Sequence, residues 1–239
     1  MWGLIILAIA VSFTAIHVVI HMYRPELADI LKMKNTELVL VFAHPDDETM
    51  FFLPLLLLLQ ASGVKFRFLC LSTGNYDGIG VIRVKELKAV AKSLGAASCD
   101  VIDDPALQDG PHFWSSTDVA RVVKKYLQTT PSVHQVFTFD AYGVSGHPNH
   151  ISTHRGIVEA KLSIPVYVLN SVPMYRKYVP LLDGFFTLLT PSSALVAVNV
   201  YAPLKSLGTM RLYASQNVWF RKLFSLFSKY SYSNEYTRI

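Results

Sequence analysis

Two short stretches hold side chains that could do chemistry together: Ala43-His44-Pro45-Asp46-Asp47-Glu48 and Ser145-Gly146-His147-Pro148-Asn149-His150. Between them they offer histidine, aspartate and histidine. A catalytic metal site takes three ligands of these types and leaves one position for water. A divalent cation lowers the pKa of its water, and a neighbouring carboxylate can then take the proton. Asp46, beside Asp47, is the natural general base. His147, if protonated, could stabilise an oxyanion or donate to a leaving amine, with Asp140 holding its imidazole from behind. A solvated turn with a helix N-cap would explain Asp47 and Glu48 through the helix dipole, but neither His44 nor the proline. His154, one turn beyond His150, is a second candidate ligand and is read as an ordinary helix residue. His112 and His134 have no partners in the sequence and are read as structural.

The elements around these stretches alternate between strand and helix. Strands are expected over 36–43, 66–71, 100–102, 135–139 and 166–169, and helices over 49–62, 83–94, 117–129 and 151–162. This order implies an α/β fold: a Rossmann-like, mostly parallel sheet with helices on both faces. Both motifs fall where a strand ends, and in such sheets sites lie beyond the carboxyl ends of the strands. The apolar run 51–59 is too short to span a membrane and reads as a core helix.

The 239 residues suffice for one sizeable domain and an attached segment. Only 16% are charged, against about 25% in an average soluble chain, and the mean hydropathy is +0.33. Residues 1–23 carry no charge, and Trp2–Ile20 is almost wholly apolar. That length fits an uncleaved transmembrane helix, and the missing basic n-region argues against a signal peptide. Arg24, Lys32 and Lys34 follow the span and none precedes it, which places the next domain in the cytosol. The expected organisation is an anchor over 1–23, a juxtamembrane linker over 24–35 and a catalytic domain over 36–239.

Six of the 22 basic residues and one of the 17 acids lie from Lys205 onward, which accounts for the whole net charge of +5. A basic tail on a neutral body suits anionic lipid better than nucleic acid. After a strand over 195–201, residues 216–230 read as a basic amphipathic helix. Trp219, Phe220, Leu223, Phe227 and Tyr230 fall on one face, to grip a membrane or to pack on the body. Cys70 and Cys99 lie outside any CxxC or Cys/His cluster and read as buried thiols.

The AHPDDE and HPNH pair resembles the LmbE-like metal-dependent de-N-acetylases, in particular the eukaryotic branch that acts on N-acetylglucosaminyl-phosphatidylinositol. The similarity runs from about Leu38 to Phe224. It includes Ser72-Thr73-Gly74-Asn75-Tyr76, the Arg83–Glu86 segment, Thr138–Ala141, Gly143–His147, Ser215-Gln216 and Trp219-Phe220-Arg221. The resemblance implies zinc, or another divalent metal, on His44, Asp47 and His150. It implies Asp46 as base and His147 as electrostatic stabiliser or acid. Asn75 and Arg83 would face substrate, although an ion pair with Glu86 would explain Arg83 equally well. It further implies hydrolysis of the N-acetyl group of that glycolipid in GPI-anchor biosynthesis, at the endoplasmic reticulum membrane. Some bacterial relatives carry a tyrosine two residues before the histidine at position 147; here that residue is Ser145.

Rival readings are a deacetylase of a soluble N-acetylglucosamine conjugate, a non-haem iron oxygenase built on two histidines and a carboxylate, and a catalytically inactive membrane scaffold. A dinucleotide-binding domain fails for want of GxGxxG after the first strand.

Overall fold

The computed structural model describes residues 36–179, 195–199 and 201–239, together with Ala15 and Asp183. Apart from Ala15, the expected anchor and linker lie outside these residues. Among the described residues no helix is long and apolar enough to cross a membrane.

The strands are β1 (Glu37–Phe42), β2 (Lys65–Cys70), β3 (Ser98–Val101), β4 (Val133–Phe139), β5 (Val166–Leu169), β6 (Leu195–Val198) and β7 (Ser233–Arg238). They form one sheet in the order β3-β2-β1-β4-β5-β7-β6. The first five run parallel, and β7 is antiparallel to both β5 and β6. The expected mostly parallel sheet is therefore present. Buried along its whole length, β1 reads ELVLVF, as a strand covered on both faces should. From β1 the chain first builds outward through β2 to β3, then returns to place β4 on the other side of β1. The reversal makes the carboxyl ends of β1 and β4 the topological switch point.

Among the described residues the helices are α1 (Asp47–Phe51), α2 (Leu53–Ala61), α3 (Gly80–Leu94), α4 (Ser116–Thr129), α5 (Pro148–Ala160), α6 (Met174–Lys177), α7 (Ala202–Met210) and α8 (Trp219–Phe227), with a single turn over Gly143–Gly146, non-helical at Val144, before α5. Of these, α5 packs on β1 and β4 with α4 against it, and α2 packs on β2, β6 and β7 beside α3 and α7.

Three expectations need correction. The single helix over 49–62 is two, broken at Phe52 (φ −116°, ψ 1°). Pro54 has no N–H to give and sits in the first turn of α2, where none is needed. The helix over 216–230 shortens to α8, flanked by 3₁₀ turns at Ala214–Gln216 and Lys229–Ser231. The strand over 195–201 ends at Val198, and α7 begins four residues later.

The tail also spends its charge differently from expectation. Lys229 is fully buried, paired with Asp183 at 2.8 Å and with Glu235.

Candidate active site

His44 lies two residues beyond the end of β1, and His150 lies in the first turn of α5, after β4. The switch point brings them together: His44 Nδ1 is 3.3 Å from His150 Nε2. Asp47, opening α1, places Oδ1 3.2 Å from His150 Nε2 and Oδ2 3.5 Å from His44 Nδ1. Donors bonded to one tetrahedral cation at 2.0–2.1 Å stand about 3.3 Å apart, so these three fit a single divalent metal. His147 is the looser neighbour; its ligand atom lies with those of His44 and His150 inside a 4.8 Å cluster.

Hydrogen bonds behind the donors aim them inward. His44 Nε2 lies 3.1 Å from Asp109 Oδ1 and 2.9 Å from Asn149 Oδ1, which turns Nδ1 toward the cluster. His150 Nδ1 lies 3.0 Å from the carbonyl of Gly143, which accepts its proton and leaves Nε2 as donor to a metal. Such supports fix tautomer and ring orientation. Gly143 can approach so closely only without a side chain. Its φ is +66°, and a Cβ there would sit 2.6 Å from that of His150. Asp47 Oδ2 accepts the backbone N–H groups of Ala43 and His44, leaving Oδ1 to face His150.

The electrostatics follow from burial and crowding. Burial alone would raise Asp47, but His150 and His44 hold it well below the usual carboxylate range. Burial would lower His44; its hydrogen bonds to the Asp109 and Asp47 carboxylates outweigh that and raise the pKa to about 10. A proton and a cation therefore compete for that ring, and metal binding releases protons. Burial lowers His147 to about 4, helped by the neighbouring histidine charges.

Asp46 adopts φ 119°, a left-handed conformation costly for a residue with a side chain. Its N–H donates to Glu48 Oε2 at 3.2 Å. Its carboxylate meets Arg83 at 3.4 Å through Oδ1 and Arg221 at 2.9 Å through Oδ2. Burial raises its pKa against both arginines. Glu48 is fully buried and accepts from Thr49 at 2.6 Å and Tyr213 at 2.8 Å, and burial pushes it up to about 7.

His44, Asp46, Asp47, His147 and His150 line a cavity of about 420 Å³, walled also by Tyr76, Asp77, Asp109, Gln216, Phe220 and Arg221, while Glu48 lies behind it. Several sequence assignments change here. Asp140 does not hold His147; it accepts from the backbone N–H groups of Tyr142, Gly143 and Ser171 and from the Ser171 hydroxyl. It thereby shapes the loop that presents Gly143 to His150. His147 instead accepts the N–H of Asn149 on Nδ1, which leaves Nε2 to carry the proton in the neutral ring. Arg83 does not pair with Glu86. It donates to the carbonyls of Pro45 and Gly74, and Glu86 accepts from the N–H and hydroxyl of Ser215. Arg83 lines the cavity, whereas the Asn75 carboxamide is turned to cap the N–H of Gly80. The Ser145 hydroxyl donates to the Gly143 carbonyl, 3.2 Å from His150 Nδ1. His154 Nδ1 sits 3.0 Å from the Phe139 carbonyl, away from the cluster. Asp109, Asn149 and Arg221 carried no assigned role in the sequence, although Asn149 lay inside a motif and its spacing could have marked it.

Fold and site together define an α/β protein whose donor set, at the carboxyl ends of β1 and β4, suits a divalent metal. Residues 39–161 match the family described as PIG-L, GlcNAc-PI de-N-acetylase. A Schizosaccharomyces pombe protein named "Probable N-acetylglucosaminyl-phosphatidylinositol de-N-acetylase" is 38% identical over 85% of this chain and 87% of its own. The Bos taurus N-acetylglucosaminyl-phosphatidylinositol de-N-acetylase is 36% identical over 87% of this chain and 85% of its own. Among solved structures, the zinc-inhibited form of teicoplanin deacetylase Orf2 shares the fold, with a TM-score of 0.61 at 14% identity, covering 85% of this chain and 99% of that one. The chain belongs to the PIG-L, GlcNAc-PI de-N-acetylase, family.

Proposed function

We propose that this protein hydrolyses the acetamide of N-acetylglucosaminyl-phosphatidylinositol, releasing acetate and leaving glucosaminyl-phosphatidylinositol, the second step of GPI-anchor biosynthesis. The observation that carries the reading is the meeting of His44, Asp47, His150 and Asp46 in one cavity, in a chain that matches proteins of that name over most of its length.

Zinc is the cation we assign to His44, Asp47 and His150, since two imidazoles and one carboxylate suit it. When bound, such a cation polarises the amide carbonyl and makes water acidic enough to attack near neutral pH. The remaining work falls to the chain itself. Asp46 takes the proton of the attacking water, held in place by Arg83 and Arg221. Asp46 then hands that proton to the departing amine, while His147, neutral and with Nδ1 occupied by the Asn149 N–H, presents Nε2–H as a hydrogen-bond donor to the developing oxyanion. Asp109 and Asn149 steady His44, and the Gly143 carbonyl steadies His150.

We assign the enzyme to the endoplasmic reticulum membrane, held by a single span over 1–23 with the catalytic domain in the cytosol. The charge-free first 23 residues and the basic residues that follow support this.

The test is acetate release by detergent-solubilised protein from the glycolipid, beside a chelated sample and Asp46→Asn. Release lost in both controls supports the reading. Release only from a soluble N-acetylglucosamine conjugate keeps the chemistry and removes the pathway; no release from either substrate favours an inactive scaffold.

A further inference from the structure

Helix α8 wears its apolar residues on the outside. At 100° per residue, Trp219, Leu223, Phe227 and Phe220 span one arc, and they are 72%, 46%, 54% and 53% exposed. The opposite arc faces the protein and is largely polar: Arg221 reaches in to Asp46, and Ser225 is fully buried against Ser206, whose hydroxyl donates to it at 2.8 Å. Phe224 is the inward apolar contact. A surface helix of a globular protein normally turns these faces the other way, and a contiguous exposed apolar patch marks an interaction surface.

Three observations select the occupant. Beside the apolar arc stand Lys222 on α8 and Lys205 and Arg211 at the neighbouring α7, all exposed, a combination suited to an anionic surface. The patch is rich in aromatic side chains, which favour the boundary between headgroups and acyl chains. Finally, Phe220 belongs both to the exposed arc and to the wall of the catalytic cavity, so the patch runs into the mouth of the site.

We infer that the outer face of α8 docks on an anionic lipid surface, inserting Trp219, Leu223 and Phe227 and setting the cavity mouth at the headgroups. The same helix carries Arg221 on its inner side, so one rigid element touches the membrane and the catalytic carboxylate. The inference deepens the glycolipid reading above and rests on it for the kinetic arm of its test alone.

The full chain is reconstituted in phosphatidylcholine vesicles containing phosphatidylserine, with and without lipids brominated on their acyl chains. The chain holds three tryptophans, so Trp219→Phe isolates the signal of Trp219. Expected is bromolipid quenching in the native protein that exceeds that of the variant and grows with phosphatidylserine content. Equal quenching overturns the inference, and unquenched Trp219 with blue-shifted emission assigns the face to a protein partner instead. In the second arm, Leu223→Ser combined with Phe227→Ser lowers hydrolysis of bilayer-held glycolipid by about tenfold or more, the least that losing two half-exposed apolar contacts predicts. Hydrolysis of a water-soluble short-chain analogue stays unchanged. Equal losses on both substrates, or no loss on either, overturn docking as the cause. Quenching of Trp219 without acetate release from any substrate leaves docking standing and removes the catalytic reading.

Discussion

Arg221 Nη2 lies 2.9 Å from Asp46 Oδ2, joining α8 to the carboxylate that follows β1. The guanidinium is itself steered by Gln216, whose side-chain and backbone oxygens accept from Nη1. If Asp46 is the base proposed above, Arg221 is its positioning residue. Arg221→Ala should lower kcat by about a hundredfold, the scale of a 1 Å misplacement, while bound metal stays at the native level. Arg221→Lys should recover part of kcat through its charge, but lacks the fork that spans Gln216 and Asp46. Steady-state kinetics beside metal analysis checks this; metal loss in Arg221→Ala would mean a general structural role.

The neighbouring aspartates separate cleanly. Asp46→Asn should lower kcat by about 10² to 10⁴, the usual contribution of a general base, and retain metal. Asp47→Asn should lose metal and activity together, because Asp47 Oδ1 faces His150 at 3.2 Å. Metal content by elemental analysis distinguishes the two. In the native protein a chelator should abolish activity and also lower the melting temperature, since a metal at 100 times its Kd stabilises the fold by about 2.7 kcal/mol.

Gly143→Ala should act on the metal without touching it. The added Cβ falls 2.6 Å from that of His150 at a backbone φ of +66°, and the carbonyl that holds Nδ1 must shift. Loss of such a support costs about 10- to 100-fold in metal affinity, measurable by competition with a chromophoric chelator. Unchanged affinity would show that the Gly143 carbonyl is not what orients His150.

Glu37, far from the cavity, gives a pH-linked prediction. Its hydrogen bond from Arg67 leads the causes that hold it below the usual carboxylate range, against a smaller effect of burial. Ser132 also donates to it, at 2.8 Å. Because the folded pKa is depressed, this stability is fully present above the unfolded value of 4.5 and is lost as pH falls through the folded value. Glu37→Gln should therefore cost about 1 kcal/mol near neutrality, the upper range for a partly exposed pair. The difference from the native protein should shrink in acid. Urea titrations at pH 7 and below pH 4 read both.

Much of the candidate site could be read in the sequence because its proposed ligands follow strand ends. His44 and His150 sit at the mouths of β1 and β4, and the switch point unites them. The roles of Asp109 and Arg221 could not be read, because each meets its partner only in three dimensions, although Arg221 lay in a segment already marked by its amphipathic pattern and its resemblance. Proximity along a helix misleads in the same way: Glu86 lies one turn from Arg83, yet it reaches Ser215. The sequence of β7, SNEYTR, has no apolar alternation to announce a strand. Its Asn234 is nonetheless fully buried, donating to the Phe51 carbonyl and accepting the Leu55 N–H. Tertiary hydrogen bonds, which no local pattern encodes, make that polar strand an interior one.

The place of β7 between β5 and β6 has a consequence for synthesis. The sheet cannot close until a strand about seventy residues downstream of β5 has been made. At 5–20 residues per second that interval lasts roughly 3 to 14 s, during which β5 offers an unpaired edge. All three proposed ligands already exist by then, but Arg221 does not. On the proposed assignment, the nascent chain could capture a metal before it can position its base, and activity would wait until the final strand is in place.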